Sequence, residues 1–262
     1  MAKKIDKEPL TDGDGPSAPE IKKNAGFQYE EDLIRKLREE GFTCGDPAGP
    51  DNSKADLELT PTYKNQIIKF ELKEKLSADF AQMNFDFDTS SMQFTIDKNK
   101  ASAQKEAAMT MIGIAESFGI VREANAHWKP QKNIPAKFTL SSSASLAQRK
   151  AAYTLDQKRF PDKFLSSGTA AAQEVEKYYN SKKTYYIQVK GMGLFYMARD
   201  VEGYGCPRFS SSVSESSIRI RLKTNSSSNA RWSFLMALKI KGLGKSTHDL
   251  DKDTNFLLKP GL

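Results

Sequence analysis

The sequence contains little cysteine and little histidine. Its 262 residues include two cysteines, Cys44 and Cys206, and two histidines, His127 and His248. So few Cys and His side chains exclude a zinc site built from a Cys/His cluster, and they argue against a disulfide-stabilised scaffold. They also exclude catalysis that depends on several histidines. An enzyme of this composition would have to use carboxylates and lysine, with or without a hard, oxygen-binding metal ion.

Long apolar segments are also missing. Uninterrupted apolar runs are short, as in Phe234–Leu238, whereas a membrane-spanning helix needs roughly 18 apolar residues. The amino terminus, MAKKIDKEPL, has no apolar run after its lysines and does not resemble a secretory signal. Hydrophobic residues nevertheless make up 38% of the chain, which is enough for a folded core. We therefore expect a cytoplasmic protein without membrane contact.

The chain divides into three predicted parts. Residues 1–22 are rich in Lys, Asp, Gly and Pro and lack periodicity, which predicts a disordered N-terminal segment. Residues 23–190 predict a core of helices and strands with a helical insertion. Residues 191–262 predict a basic, β-rich extension. The predicted order is a helix, a strand hairpin, a long helical segment and a strand-rich end, so we assign the fold class α/β (α+β).

Positive charge is concentrated in the last third of the chain. The formal net charge is +7. Residues 182–245 hold twelve Lys and Arg against three Asp and Glu, a net charge of +9, which leaves −2 for the remainder. Arg219, Arg221 and Lys223 alternate with apolar residues on one predicted strand and share one face. The pattern is typical of a surface that binds a polyanion such as DNA, although an ordinary solvated basic face has the same pattern.

Two predicted strands place carboxylates and a lysine on a shared face. In Ala55–Leu59 and in Gln66–Lys73, apolar and charged residues alternate, and successive strand side chains point to opposite faces. If the strands pair antiparallel, Asp56 near the start of the first meets Glu71 and Lys73 near the end of the second. Two carboxylates suit Mg²⁺, which binds one or two carboxylates together with water and phosphate oxygens. On the second strand alone, an ordinary ion pair on a half-exposed edge is the simpler interpretation.

A third carboxylate comes from the first predicted helix, which spans residues 25–40. Phe27, Glu30, Ile34 and Leu37 form one stripe at helical spacing, so Glu30 lies on an otherwise apolar face. Burying a carboxylate alone is costly. We therefore expect a metal ion, a lysine or a water network beside Glu30.

The helix and the hairpin together resemble the PD-(D/E)XK nuclease superfamily, which has the restriction-endonuclease-like fold. The resemblance covers about residues 25–76 and assigns Glu30 to the helix, Asp56 to the opening of the hairpin, and Glu71-Leu72-Lys73 to the (D/E)-x-K element. It implies that Asp56 and Glu71 bind Mg²⁺ or Mn²⁺ and that Glu30 acts through water or a second ion. It also implies that Lys73 positions the attacking water or helps to deprotonate it.

The motif aspartate has a second candidate. The literal Pro-Asp dipeptide is Pro50-Asp51, five residues before Asp56. We prefer Asp56 because the apolar alternation begins directly after it, whereas Asp51 lies in a turn-rich stretch.

The resemblance implies a Mg²⁺-dependent DNA endonuclease that hydrolyses phosphodiester bonds with metal-activated water. Double-stranded DNA is the expected partner, and a homodimer is expected because two sites cut two strands. Gln82 could orient the site or contact DNA, although a helix-surface glutamine is the simpler interpretation. Arg219, Arg221 and Lys223 are the other candidate DNA contacts.

Several related functions fit the same set of residues. Restriction, homing and phage DNA degradation remain open, and the sequence does not separate DNA from RNA as substrate. A Holliday junction resolvase fits less well, because such proteins are typically smaller and lack a long C-terminal extension. The alternative from another class is a non-catalytic nucleic-acid-binding module on a nuclease-like scaffold. The complete set of Glu30, Asp56, Glu71 and Lys73 argues against that alternative.

Overall fold

Two sheets and their helices form the described part of the protein. The computed structural model describes residues 25–48, 55–61, 66–88, 90–96, 105–128, 160–224 and 232–258, together with Tyr63 and scattered positions between 145 and 158. The predicted disordered segment 1–22 and the lesser candidate Asp51 lie outside these residues.

The described residues contain five α-helices and ten β-strands, so the predicted mixed class (α+β) is confirmed. The helices are α1 (Ala25–Glu39), α2 (Lys105–Ser117), α3 (Ile120–His127), α4 (Ala170–Ser181) and α5 (Phe209–Ser212). The first five strands are β1 (Thr43–Cys44), β2 (Leu57–Thr60), β3 (Ile68–Lys73), β4 (Ala81–Asp88) and β5 (Gln93–Thr95). The other five are β6 (Lys163–Gly168), β7 (Tyr186–Val189), β8 (Gly193–Tyr196), β9 (Val213–Thr224) and β10 (Trp232–Leu243). None of these helices is both long and apolar enough to cross a lipid bilayer.

The first sheet is mixed and has the strand order β1-β2-β3-β7-β8. Strands β2 and β3 pair antiparallel, with Leu57 opposite Phe70, which confirms the predicted hairpin. Strand β7 runs parallel to β3, with Lys73 opposite Val189. Helix α1 covers one face of this sheet, since its buried residues belong to the same apolar cluster as Phe70.

Helix α1 follows the predicted helix closely. Ile34 and Leu37 of the predicted stripe are buried, and Tyr29 and Leu33 widen the buried face. The helix stops before Gly41, whose φ of 91° lies in the left-handed region that glycine adopts without a Cβ clash.

The second sheet is antiparallel and has the strand order β5-β4-β10-β9-β6. Helix α4 packs between the two sheets: its residue Val175 shares one apolar cluster with Ile187 of the first sheet and Ile220 of the second. A helix in this position can carry side chains to the face of β3 that α1 does not cover.

Each sheet contains strands that precede residue 190 and strands that follow it. In the first sheet β7 pairs with β8, and in the second β10 pairs with β4. The division of the chain into residues 23–190 and 191–262 remains a prediction about independently folding parts.

Candidate active site

Glu71 and Lys73 lie on the face of β3 that points toward α4. Only 6% of Glu71 is exposed, and the Lys73 ammonium donates a hydrogen bond of 2.5 Å to Glu71 Oε1. Burial alone would raise the pKa of Glu71, but the positive charges of Lys73 and Lys182 and the hydrogen bonds of Lys73 and Tyr179 lower it. The predicted shared face is therefore an enclosed ion pair and not a half-exposed strand edge.

Asp56 lies directly before β2 and meets the end of β3, as the antiparallel pairing predicts. Its Oδ2 accepts a hydrogen bond of 2.9 Å from the backbone N–H of Leu72. Burial raises the pKa of Asp56 well above its ordinary value of 3.8, and the negative charges of Glu71 and Glu30 raise it further. The charge of Lys73 opposes this shift without cancelling it. Asp56 is therefore a half-buried carboxylate whose negative charge is incompletely balanced.

Neighbouring carboxylates also raise the pKa of Lys73. Burial would lower the pKa of Lys73, but the charges of Glu71 and Asp56 raise it above its ordinary value. The side chain consequently stays protonated at neutral pH. It serves the site as a hydrogen-bond donor and a fixed positive charge.

Glu30 belongs to the same cluster. It is half-buried on α1, and its negative charge contributes to the raised pKa of Asp56. Helix α1 is held in place next to Glu30, because the Tyr29 hydroxyl donates to Asp251 Oδ2 at 3.0 Å. Lys36 adds a hydrogen bond of 2.8 Å to the carbonyl oxygen of Leu250. The structure thus brings Asp56, Glu71 and Lys73 together, and Glu30 lies near enough to Asp56 to act on its charge.

Helix α4 adds residues that the sequence did not single out. The Tyr179 hydroxyl lies 2.7 Å from Glu71 Oε1 and also within hydrogen-bond distance of the Phe80 carbonyl oxygen. A phenol has one hydrogen, so Tyr179 donates to only one of these acceptors at a time. Burial and the charge of Glu71 raise the pKa of the neighbouring Tyr178 to about 12. Lys182 lies 5.6 Å from the centroids of both tyrosine rings.

The donor set at this site fits a divalent cation. Within the described ranges, no three His, Cys, Asp or Glu side chains come close enough together to be recognised as a metal site by themselves. Mg²⁺ does not need three, because it usually binds one or two carboxylates and retains water. Asp56 and Glu71 supply two carboxylates, and burial together with the charges of Glu71 and Glu30 raises the pKa of Asp56.

Gln82 lies on a strand and not on the helix surface that the sequence suggested. It is an exposed residue of β4, opposite Ala237 of β10. No hydrogen bond between described residues joins Gln82 to Asp56, Glu71 or Lys73. Its part in DNA contact remains a prediction.

The predicted cationic face of β9 is occupied by ion pairs. Arg219 is 8% exposed and donates a hydrogen bond of 2.8 Å to Asp79. Arg221 forms hydrogen bonds of 2.9 and 2.6 Å to one oxygen of Asp162. These arginines are thus neutralised by carboxylates of the same chain, which the strand pattern alone did not reveal. The side chain of Lys223 lies outside the described part.

Arg219 provides a test of this arrangement. Replacement by glutamine should lower the free energy of unfolding by about 1–2 kcal/mol, because Asp79 loses one of its two cationic partners and keeps Lys239 at 3.0 Å. The salt dependence of DNA binding should stay unchanged, since Arg219 is expected to contact no phosphate. Chemical denaturation and binding titrations measure both effects. Arg122→Gln, whose side chain is 83% exposed, is the control and should change stability by less than about 0.5 kcal/mol. A stable Arg219→Gln protein with a weaker salt dependence would indicate a DNA contact instead.

No protein-family model, no curated protein and no solved structure matches the chain. The function is therefore inferred from the geometry of the site.

Proposed function

We propose that the protein is a divalent-metal-dependent DNA endonuclease with a PD-(D/E)XK nuclease-like core. The observation that carries the proposal is the meeting of buried Glu71 with half-buried Asp56 and Lys73 at the end of the β2–β3 pair. A carboxylate such as Asp56, whose pKa burial and the charges of Glu71 and Glu30 raise, is a costly arrangement in a purely structural role. A mixed sheet with α1 on one face and α4 on the other supports the same fold.

Asp56 and Glu71 would hold Mg²⁺ or Mn²⁺, and Glu30 would assist through water or a second ion. A bound divalent ion supplies positive charge to the phosphodiester in its transition state and lowers the pKa of a bound water. The same ion would offset the negative charge of Asp56, which Lys73 balances only in part.

Lys73 would orient the attacking water and stabilise negative charge. Its raised pKa keeps it protonated, which supports a role as hydrogen-bond donor more than a role as general base. Tyr179 would hold Glu71 in position through the hydrogen bond to Oε1. The homodimer expected from the sequence remains a prediction.

A non-catalytic nucleic-acid-binding module is the second candidate. It is favoured by the short Lys73–Glu71 hydrogen bond, since an ion pair of 2.5 Å can satisfy both groups without a metal. Under this alternative the protein would bind DNA with a strong salt dependence and would not cleave it.

Incubation of the wild-type protein with DNA distinguishes the two candidates. Supercoiled plasmid, a linear duplex, a four-way junction and a single-stranded RNA are each incubated with Mg²⁺ and with EDTA. We expect cleavage of at least one DNA form in Mg²⁺ and none in EDTA. Cleavage that persists in EDTA would contradict the metal-dependent mechanism. Salt-sensitive binding without cleavage of any form would support the non-catalytic module, and preferential cleavage of the junction would indicate a resolvase.

A further inference from the structure

A surface pocket of about 460 Å³ lies where α4 ends and β7 begins. Both α4 and the loop after β8 contribute polar side chains to it. Its lining residues are Glu106, Asn180, Ser181, Lys183, Tyr185, Ala198 and Arg199.

The pocket is positively charged. Lys183 and Arg199 are exposed, and neither forms a salt bridge within the described part of the chain, whereas most other cations near the sheets do. The Arg199 guanidinium lies over the Tyr185 ring, 5.4 Å from its centroid. Glu106 is the one carboxylate among the lining residues, so two cations face one anion. Such a pocket is suited to an anionic ligand.

The backbone around the pocket is held in an unusual conformation. Lys183 and Ala198 have φ values of 56° and 59°, in the left-handed region that residues other than glycine rarely adopt. The Tyr185 carbonyl oxygen accepts a hydrogen bond of 2.6 Å from the N–H of Met197 and so ties the two loops together. The cations are therefore presented by a fixed framework, which lowers the entropic cost of binding.

The pocket adjoins the candidate active site. On α4, Tyr178 and Tyr179 face the site. The next two residues, Asn180 and Ser181, line the pocket. The N–H of Tyr185 donates to the carbonyl oxygen of Lys69, which precedes Glu71 by two residues on β3. Two residues of a strand span about 7 Å, so this backbone contact lies close to Glu71.

We propose that this pocket binds one nucleotide of the DNA strand whose phosphodiester lies at Asp56 and Glu71. The inference rests on the proposed function for the position of that nucleotide. Lys183 and Arg199 bind its phosphate, because cationic side chains form charge-assisted hydrogen bonds to phosphate oxygens. The guanidinium plane of Arg199, supported by the Tyr185 ring, stacks on an unpaired base. The Asn180 amide can donate to, and accept from, the base edge.

Binding of a fluorescein-labelled, single-stranded 12-mer in EDTA tests the pocket independently of cleavage. We expect Arg199→Ala and Lys183→Gln each to weaken binding at least about tenfold and to reduce the slope of log K against log salt by about 1. Both side chains are exposed, so the variants should stay folded. Arg122→Ala removes an equally exposed cation from α3 and should bind like the wild type.

Different outcomes separate this inference from the proposed function. The proposed nucleotide-binding role of the pocket is overturned if both pocket variants bind the oligonucleotide as tightly as the wild type. It is also overturned if Arg122→Ala loses as much affinity as they do. Absence of oligonucleotide binding by the wild type overturns it as well. If the pocket variants lose affinity but the wild type cleaves no DNA in Mg²⁺, the nucleotide-binding pocket stands and the proposed catalytic function fails.

Discussion

Replacement of Lys73 by methionine is expected to lower the rate of Mg²⁺-dependent DNA cleavage by about 10²–10⁴-fold. Methionine keeps most of the aliphatic stem but removes the ammonium that bonds to Glu71 Oε1. The site then loses the group that would orient water and stabilise negative charge. Single-turnover cleavage of a labelled duplex, with protein in excess, measures the chemical step.

Lys69→Met is the matched control for Lys73→Met. Lys69 lies on the same strand and the same face, but its ion pair with Glu58 is 3.4 Å long and its side chain is 37% exposed. An exposed pair of this kind contributes about 0–1 kcal/mol, so the control should retain its cleavage rate and its stability. Equal activity of Lys73→Met and Lys69→Met would contradict the role given to Lys73.

Replacement of Asp56 by asparagine is expected to abolish cleavage and to stabilise the metal-free protein. Asparagine can still accept the hydrogen bond from the Leu72 N–H. The substitution removes a negative charge that Glu71 and Glu30 repel. We expect the free energy of unfolding to rise by about 0.5–2 kcal/mol, which is the usual gain when a substitution removes an unfavourable interaction from a functional site. Denaturation in EDTA and the cleavage assay in Mg²⁺ measure the two effects separately.

The difference in stability between Asp56→Asn and the wild type should increase as pH rises. Folding raises the pKa of Asp56 above 3.8. Between pH 3.8 and the folded pKa, Asp56 is therefore protonated in the folded protein and ionised in the unfolded chain. The stability contributed by that proton is complete below 3.8 and is lost as pH rises through the folded pKa. The advantage of Asp56→Asn over the wild type should therefore grow with rising pH. Asp46→Asn, at a side chain 90% exposed, should show no such trend. A constant or shrinking advantage would contradict the raised pKa.

The local patterns of the sequence predicted the hairpin and the helix that carry the candidate site. Alternation in the hairpin gave the faces of β2 and β3, and the helical stripe brought Glu30 toward them. These predictions succeeded because strand and helix periodicity fix which side chains share a face. Asp56 and Glu71 are brought together by one short hairpin, so little information from distant sequence is needed.

The parts that the sequence did not predict depend on distant contacts. Tyr179 reaches Glu71 across 108 positions of the chain, and Arg219 reaches Asp79 across 140. No local pattern identifies such partners, which is why Arg219 looked like a free DNA contact. Strand β4 is a different case, since Ala81–Asp88 alternates apolar and polar residues, which is the local pattern of a strand.

Titration with Mn²⁺ measures whether Asp56 and Glu71 hold a divalent ion. Electron paramagnetic resonance of the free hydrated ion reports how much Mn²⁺ the protein has bound. The wild type is expected to bind Mn²⁺ and the exposed-site control Asp46→Asn to bind it equally well, whereas Asp56→Asn should lose this binding. Undiminished Mn²⁺ binding by Asp56→Asn, or no binding by the wild type, would contradict the proposed metal-dependent site.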